Sequence, residues 1–339
     1  MKNIAAFSGF VIIFHIFVIC PRTWGQYSGP VLSQFPVKNK FPYALSMTSA
    51  AGFLYGYGEE IVYKYPGKDT YMSQLLWNLK PLFYAGGGLD FSRINPMERW
   101  GFFTGFSLKF GFPGNTGIME DRDWNAPEDA LSNYSQSDNY TDGALLFDYL
   151  LGLSFPLKSF ALLKIYGGIS WMSFHWTGRD GYIQYAPVSN NVYLPLDDSA
   201  AQEPLYGASI TYSQDWLLIY PGAALCIPLP RRFRAALSFQ ISPLIFCVAR
   251  DDHLLRNIEF RDYLFGGLYL EPRGDVSFSF TTRFELSLHV SYRFIKGAKG
   301  DSYARDTGAG KAGDFYQLSE DAGAAWYALD SGLSLKIRF

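Results

Sequence analysis

Val276-Ser277-Phe278-Ser279-Phe280-Thr281-Thr282-Arg283-Phe284-Glu285-Leu286-Ser287-Leu288-His289-Val290-Ser291-Tyr292-Arg293-Phe294 alternates apolar and polar side chains for nineteen positions. The even positions are aromatic or aliphatic, with Thr282 the one weak member, and the odd positions are hydrophilic and partly charged. A strand points successive side chains to opposite faces, so one face of this segment is a greasy band and the other a polar one. Strands of soluble sheets usually end after five or six residues. At ~3.3 Å per residue, nineteen would reach roughly 60 Å, more than a bilayer requires. A long strand that is apolar outside and polar inside predicts a transmembrane β-barrel, an all-β fold.

Both ends of the chain agree. Residues 1–25 have the form of a secretory signal peptide: Lys2 at the start, an apolar run from Ile4 to Ile19, and Thr23-Trp24-Gly25 before the expected cut. Bulky Ile19 before Cys20 argues against a lipoprotein site. The expected mature barrel is 26–339. Its last residues alternate Leu333, Leu335, Ile337 and Phe339 with Ser334, Lys336 and Arg338, and a closing strand that ends on Phe resembles the recognition signal of bacterial outer-membrane barrels. Hydrophobic residues make up 48% of the chain and aromatics 18%, while mean hydropathy is near zero, as expected when lipid-facing and lumen-facing positions cancel. Net charge is −2, or −4 once Lys2 and Arg22 leave with the signal, which invites no nucleic acid. Cys226 and Cys247 are separated by a turn at 228–232 and would lie roughly 50 Å apart along a strand, so no disulfide is expected.

The pattern lays out as ten antiparallel strands with short periplasmic turns and long extracellular loops. The expected strands are 43–63, 71–91, 101–111, 144–155, 162–177, 207–227, 232–249, 264–270, 276–294 and 323–339. Turns are expected at 92–99, around Lys158, at 228–232 and at Pro272-Arg273-Gly274-Asp275. Long outer loops are expected at 112–143, 178–205 and 297–320. Gly308-Ala309-Gly310-Lys311-Ala312-Gly313 has dinucleotide-like glycine spacing but lacks the strand–helix context that such a site needs. Arg273-Gly274-Asp275, placed in a periplasmic turn, is read as coincidence.

Two outer segments hold the candidate chemistry. Asp121-Arg122-Asp123-Trp124 falls in the first long loop, and Asp251-Asp252-His253 just above the seventh strand. In extended backbone, residues two apart share a face, so Asp121 points with Asp123 and Asp251 with His253. A carboxylate beside an imidazole orients it and raises its basicity, as a general base requires. Of two adjacent carboxylates, one tends to keep a proton and can orient a water. Solvated loop acids, or a calcium site, are the plainer readings of Asp121 and Asp123. His289 is expected in a lumen network with Arg283 and Glu285, and His175 in an interfacial girdle. Three scattered histidines do not make a zinc site.

The chain resembles the omptin family of ten-stranded outer-membrane endopeptidases. Gly58-Glu59-Glu60-Ile61-Val62-Tyr63 with Ser73-Gln74-Leu75-Leu76-Trp77 is similar to that family's first hairpin. Asp121-Arg122-Asp123-Trp124 and Asp251-Asp252-His253 match its Asp-x-Asp-Trp and Asp-x-His motifs. Thr177-Gly178-Arg179-Asp180-Gly181-Tyr182-Ile183 and the closing strand agree further. The resemblance implies catalysis by Asp121, Asp123, Asp251 and His253, with a water attacking the peptide carbonyl and neither metal nor covalent intermediate. It assigns Glu60 to the reception of a basic side chain. It also implies a monomer in the outer membrane of a diderm bacterium, with the site facing outward toward peptide or protein substrates and outer-membrane lipid around the barrel.

Three departures stand out. Ala249 replaces the acid that often precedes the Asp-x-His pair by two residues, which puts the preference for basic residues in question. No histidine lies between His15 and His175, although the family's loop carries one with a serine, here represented by Ser135 and Ser137. No cofactor is expected, and because the stretch Ile169-Ser170-Trp171-Met172-Ser173 lacks the basic residues that bind lipopolysaccharide in the family, a requirement for that or another outer-membrane lipid is put in question without being excluded. The rival readings are an adhesin or host-protein binder on the same barrel, and a pore.

Overall fold

In the computed structural model the described residues are 43–339, except 66, 95–99, 158–159, 198–199 and 309–311. The expected signal peptide lies outside them. Ten antiparallel spans follow one another: β1 (Tyr43–Tyr63), β2 (Tyr71–Ile94), β3 (Gly101–Gly111, continuing as Gly114–Asp123), β4 (Asn133–Leu157) and β5 (Ala161–Tyr185), then β6 (Glu203–Pro228), β7 (Phe233–Ser242, continuing as Leu244–His253), β8 (Ile258–Phe265, continuing as Leu268–Ser279), β9 (Phe284–Asp306) and β10 (Tyr316–Arg338). Each span pairs with its sequence neighbours. β10 also pairs with β1 from Ser46↔Arg338 to Tyr63↔Asp321, which closes the ring and leaves no free edge. The end holding Tyr43 and Arg338 is the base, and the opposite end is the mouth.

The decisive stretch is two strands, not one. Phe280–Arg283 form a hairpin turn in which the Thr281 hydroxyl accepts the N–H groups of Arg283 and Phe284, both at 3.1 Å. Cross-strand partners share a face, and here they pair odd with odd and even with even: Ser279↔Glu285, Val276↔Leu288. The alternation therefore passes through the turn unbroken. The expected turn at 272–275 is mid-strand. Pro272, lacking an N–H, interrupts the ladder to β9 between Leu270 and Arg273 but keeps its place opposite Phe239 on β7. Arg273 and Asp275 are a lumen-facing ion pair at 2.7 Å, not a surface tripeptide.

The expected long loops are also shorter than the sequence suggests. β3 resumes after Phe112-Pro113 and β4 begins at Asn133, so 112–143 is mostly strand. The same holds for 178–205, reduced to 186–202 with a small hairpin (Val188–Ser189 with Val192–Tyr193), and for 297–320, reduced to 307–315. Beyond the membrane the outer face of a strand meets water instead of lipid, so these extensions lose the apolar alternation, while their inner face stays buried. They are held instead by polar pairs such as Thr116–Thr141 at 2.8 Å and Asn139 Nδ2 donating to the Asn78 carbonyl at 2.7 Å.

Leu217, Ile219, Phe246, Phe265, Leu288 and Leu333 belong to the exposed apolar belt. Its mouth-side margin is marked by Asp215 and Asp301, which lie on one rung with Val248 and Tyr263 and point outward. Inside the belt the lumen is filled. Asp330 accepts from Lys109 (2.6 Å) and Tyr84 (2.6 Å) and pairs with His289 (3.2 Å); Glu271 pairs with Arg293 (2.8 Å); Tyr220 donates to Asp148 (2.6 Å). His289 thus belongs to the Asp330 network. Glu285 is bound by Arg234 and Arg338, and Arg283 sits in the exposed turn. Lys336 pairs with Asp90 at 2.8 Å. Cys226 and Cys247 are free thiols.

Candidate active site

Above the ionic network, aromatic rings floor the mouth. Trp77 stacks on Tyr212 (centroids 5.3 Å) and Trp176 (6.1 Å), while Phe174 lies between Trp176 (5.5 Å) and Trp326 (5.2 Å). All five are fully buried. Gly58 eases the packing at this level: a Cβ there would stand 3.0 Å from the Trp176 ring and 3.1 Å from Gln214 Oε1, so these neighbours would have to give way. The floor gives the carboxylates just above it a low-dielectric lower wall.

Glu60, two residues beyond Gly58 on the same lumen-facing row, sits opposite Leu75, and Leu75 opposite Asp121. Asp121 and Asp123 are therefore not in a loop but on the last rungs of β3, sharing the lumen face as their spacing predicts. The Asp121 carboxylate lies 3.5 Å from the Ser73 hydroxyl, and Asp123 accepts from Asn133 Nδ2 at 3.2 Å. The Trp124 N–H bonds to the Met72 carbonyl at 2.8 Å and anchors the strand end.

Asp251 and His253 end β7. Their side chains meet, as predicted, with His253 Nε2 2.6 Å from Asp251 Oδ2. Arg256, in the turn after β7, places its guanidinium against His253 Nδ1. The guanidinium can only donate, so Nδ1 is the acceptor in this pair and Nε2–H faces Asp251. Asp251 Oδ1 and Glu60 Oε2 are buried without hydrogen-bond partners. His175, by contrast, is exposed on the outer face, 3.2 Å from the Ser173 hydroxyl and away from this cluster.

Electrostatics tie the two walls together. Burial raises the Asp121 carboxyl well above the usual range, and the charges of Asp123 and Asp251 add to that; Arg256 opposes it. Glu60 is likewise raised, first by burial and then by Asp251, Asp262 and Asp121. Thus Glu60, Asp121 and Asp251, from β1, β3 and β7, face one lumen space. Asp123, on the Asp121 side, and His253, on the Asp251 side, complete the five residues singled out from sequence.

Two residues of this site are absent from the sequence reading. Asp262 on β8 is raised to about 7 by burial and by Asp251, against the Ser302 hydroxyl that holds it down. It lies directly beside Ala249 across the β7–β8 ladder. Extending the inward row of Leu264 back by two residues would have found it, but the eighth strand was expected to begin at 264. Arg256 has no sequence signal, since its role depends on the tight turn that folds it back onto His253.

The family model for the omptins matches residues 41–339. The chain belongs to the omptin family. Among solved structures, this omptin superposes on the outer membrane protease OmpT from Escherichia coli with a TM-score of 0.75 at 17% identity, covering 90% of this chain and all of that one. The Pseudomonas putida toluene transporter TodX (TM-score 0.31, 8% identity, 92% of this chain and 93% of that one) and the translocator domain of the Neisseria meningitidis autotransporter NalP (0.36, 9%, 87% and 88%) are far more distant. No curated protein sequence matches significantly.

Proposed function

We propose that this omptin is an outer-membrane endopeptidase whose site opens to the cell exterior and cleaves beside basic residues with a water activated by His253 and Asp251. The observation that carries this reading is the meeting of the Asp121/Asp123 and Asp251/His253 walls over a closed aromatic floor. A water held between them loses its proton to His253 as its oxygen adds to the peptide carbonyl, and Asp251 stabilises the imidazolium that forms. Because Nε2 faces Asp251, the proton is taken at Nδ1, and Arg256 must swing away from that nitrogen before the reaction. Asp121, holding its proton more tightly than an ordinary carboxyl, donates a hydrogen bond to the water or to the developing oxyanion while Asp123 accepts one. His253 then returns the proton to the leaving amine. Glu60 pairs with the cationic side chain of the residue being cut.

The test is cleavage of a fluorogenic library of monobasic and dibasic peptides by refolded barrel. Wild type is expected to cut, and His253→Ala to lose about 10³-fold in kcat/KM. Equal cleavage by both would sink the mechanism. No cleavage by either, with host-protein binding unchanged in His253→Ala, would favour the adhesin reading.

A further inference from the structure

We propose that Asp262 is a specificity-determining residue, forming with Glu60 the two-carboxylate wall of a pocket that takes the cationic side chain of a substrate lysine or arginine. This rests on the reading of Glu60 given above and extends it to a residue on a different strand. Glu60 is 4% exposed and Asp262 5% exposed, and each carries a buried oxygen, Oε2 and Oδ1, with no hydrogen-bond partner. Leaving such groups unpaired is costly unless something arrives to meet them. Both face the lumen, and the Asp262 charge is felt at Glu60, so the two carboxylates look into the same space. Between them, on β9 and β10, the wall is made of small side chains: Ala324 lies beside Glu60, Ala298 beside Ala324, and Ser302 beside Asp262, while Ala249 flanks Asp262 on its other side. The Tyr212 ring, stacked in the floor, closes the bottom and feels Glu60 most, then Cys247 and last Asp262.

This is a slot with two carboxyl walls and an aromatic base, and among the described residues no basic side chain forms an ion pair with Glu60 or Asp262. Among the described residues no three His, Cys, Asp or Glu side chains converge as metal ligands, so the slot is not shaped around an ion. A guanidinium or ammonium on a flexible stem fits better: the small Ala298 and Ala324 leave room for the stem, the head bridges the two carboxylates, and the ring face beneath favours the charge. Asp262 thereby supplies across the strand pair a charge that Ala249 lacks.

The experiment uses refolded full barrel and three peptides identical except for arginine, lysine or citrulline at the residue whose carbonyl is attacked. Citrulline keeps the shape of arginine and removes its charge. Asp262→Asn is expected to lower the arginine-to-citrulline ratio of kcat/KM by about tenfold or more while citrulline cleavage persists. Ala249→Asp combined with Asp262→Ala, which moves the carboxylate to the paired rung, is expected to restore the ratio and serves if Asp262→Asn does not fold. Tryptophan-fluorescence titration of the His253→Ala barrel, with and without these changes, reads the same preference without turnover. A ratio unchanged in Asp262→Asn but lowered in Glu60→Gln overturns the role of Asp262 alone, as does an equal loss on all three peptides. A wild-type barrel indifferent to the charge, or a ratio unmoved by Glu60→Gln, overturns the Glu60 reading beneath it.

Discussion

At the scale of single residues, the mouth holds more buried negative charge than it can neutralise, and that has a thermodynamic consequence. Glu60, Asp121 and Asp262 are all raised, first of all by burial. The folded barrel therefore keeps protons that the unfolded chain, whose carboxyls titrate near ~4, has already released. The sign follows from linkage: where the native state binds more protons, stability falls as pH rises. The stabilisation is fully present below pH ~4 and for Asp262 is lost by about pH 7, where its own carboxyl titrates. The urea midpoint of refolded barrel should thus decline across this window, and Asp262→Asn should flatten the decline by up to one proton. Parallel curves for the two proteins would show that Asp262 does not carry the shift. The shared face of Asp121 with Asp123 and the pairing of Asp251 with His253 were legible in the sequence because i, i+2 spacing works locally, while the catalytic roles proposed for them came only with the resemblance to the omptins. Asp262 and Arg256 were not, because one acts across a ladder and the other across a turn.

At the scale of elements, alternation identified which segments span the membrane but placed several ends wrongly. The failure at 272–283 is instructive. Pro272, Gly274 and Asp275 are common turn formers, yet they lie inside β8, while Phe280-Thr281-Thr282-Arg283, which reads as strand, is the turn. A hairpin whose partners match in parity is invisible to a period-two pattern, and proline is tolerated because only one of its two ladders is interrupted. The two assignments are separable by insertion. Two glycines placed between Thr281 and Thr282 lengthen a wet turn, which costs little. The same pair placed after Gly274 pushes one part of β8 out of register with both β7 and β9. The first variant should refold and keep activity within about twofold, and the second should not reach the heat-modifiable folded form on a gel. Refolding of the second variant alone would return the turn to 272–275.

At the scale of the whole molecule, the barrel is built in storeys, and each storey handles charge differently. Within the belt, acids and bases are paired across the lumen; above the aromatic floor, the acids are left without enough bases. The lower storey therefore serves stability, and the upper one is where the proposed chemistry would take place. Asp330 tests the division. It is fully buried and serves Lys109, Tyr84 and His289 at once, from β3, β2 and β9. Asp330→Ala leaves the Lys109 ammonium buried with no counter-charge, a change that typically costs about 3–5 kcal/mol when one partner of a buried pair is removed. The variant should unfold at distinctly lower urea, yet the molecules that remain folded should retain kcat/KM within about twofold, because the stacked floor of Trp77, Trp176 and Tyr212 stands between this network and the mouth. His253→Gln, whose amide can still donate to the buried Asp251 carboxylate, should do the reverse, losing turnover at a urea midpoint close to that of wild type. If Asp330→Ala stays as stable as wild type but loses activity, the two storeys are coupled and the floor is not the partition that its packing implies.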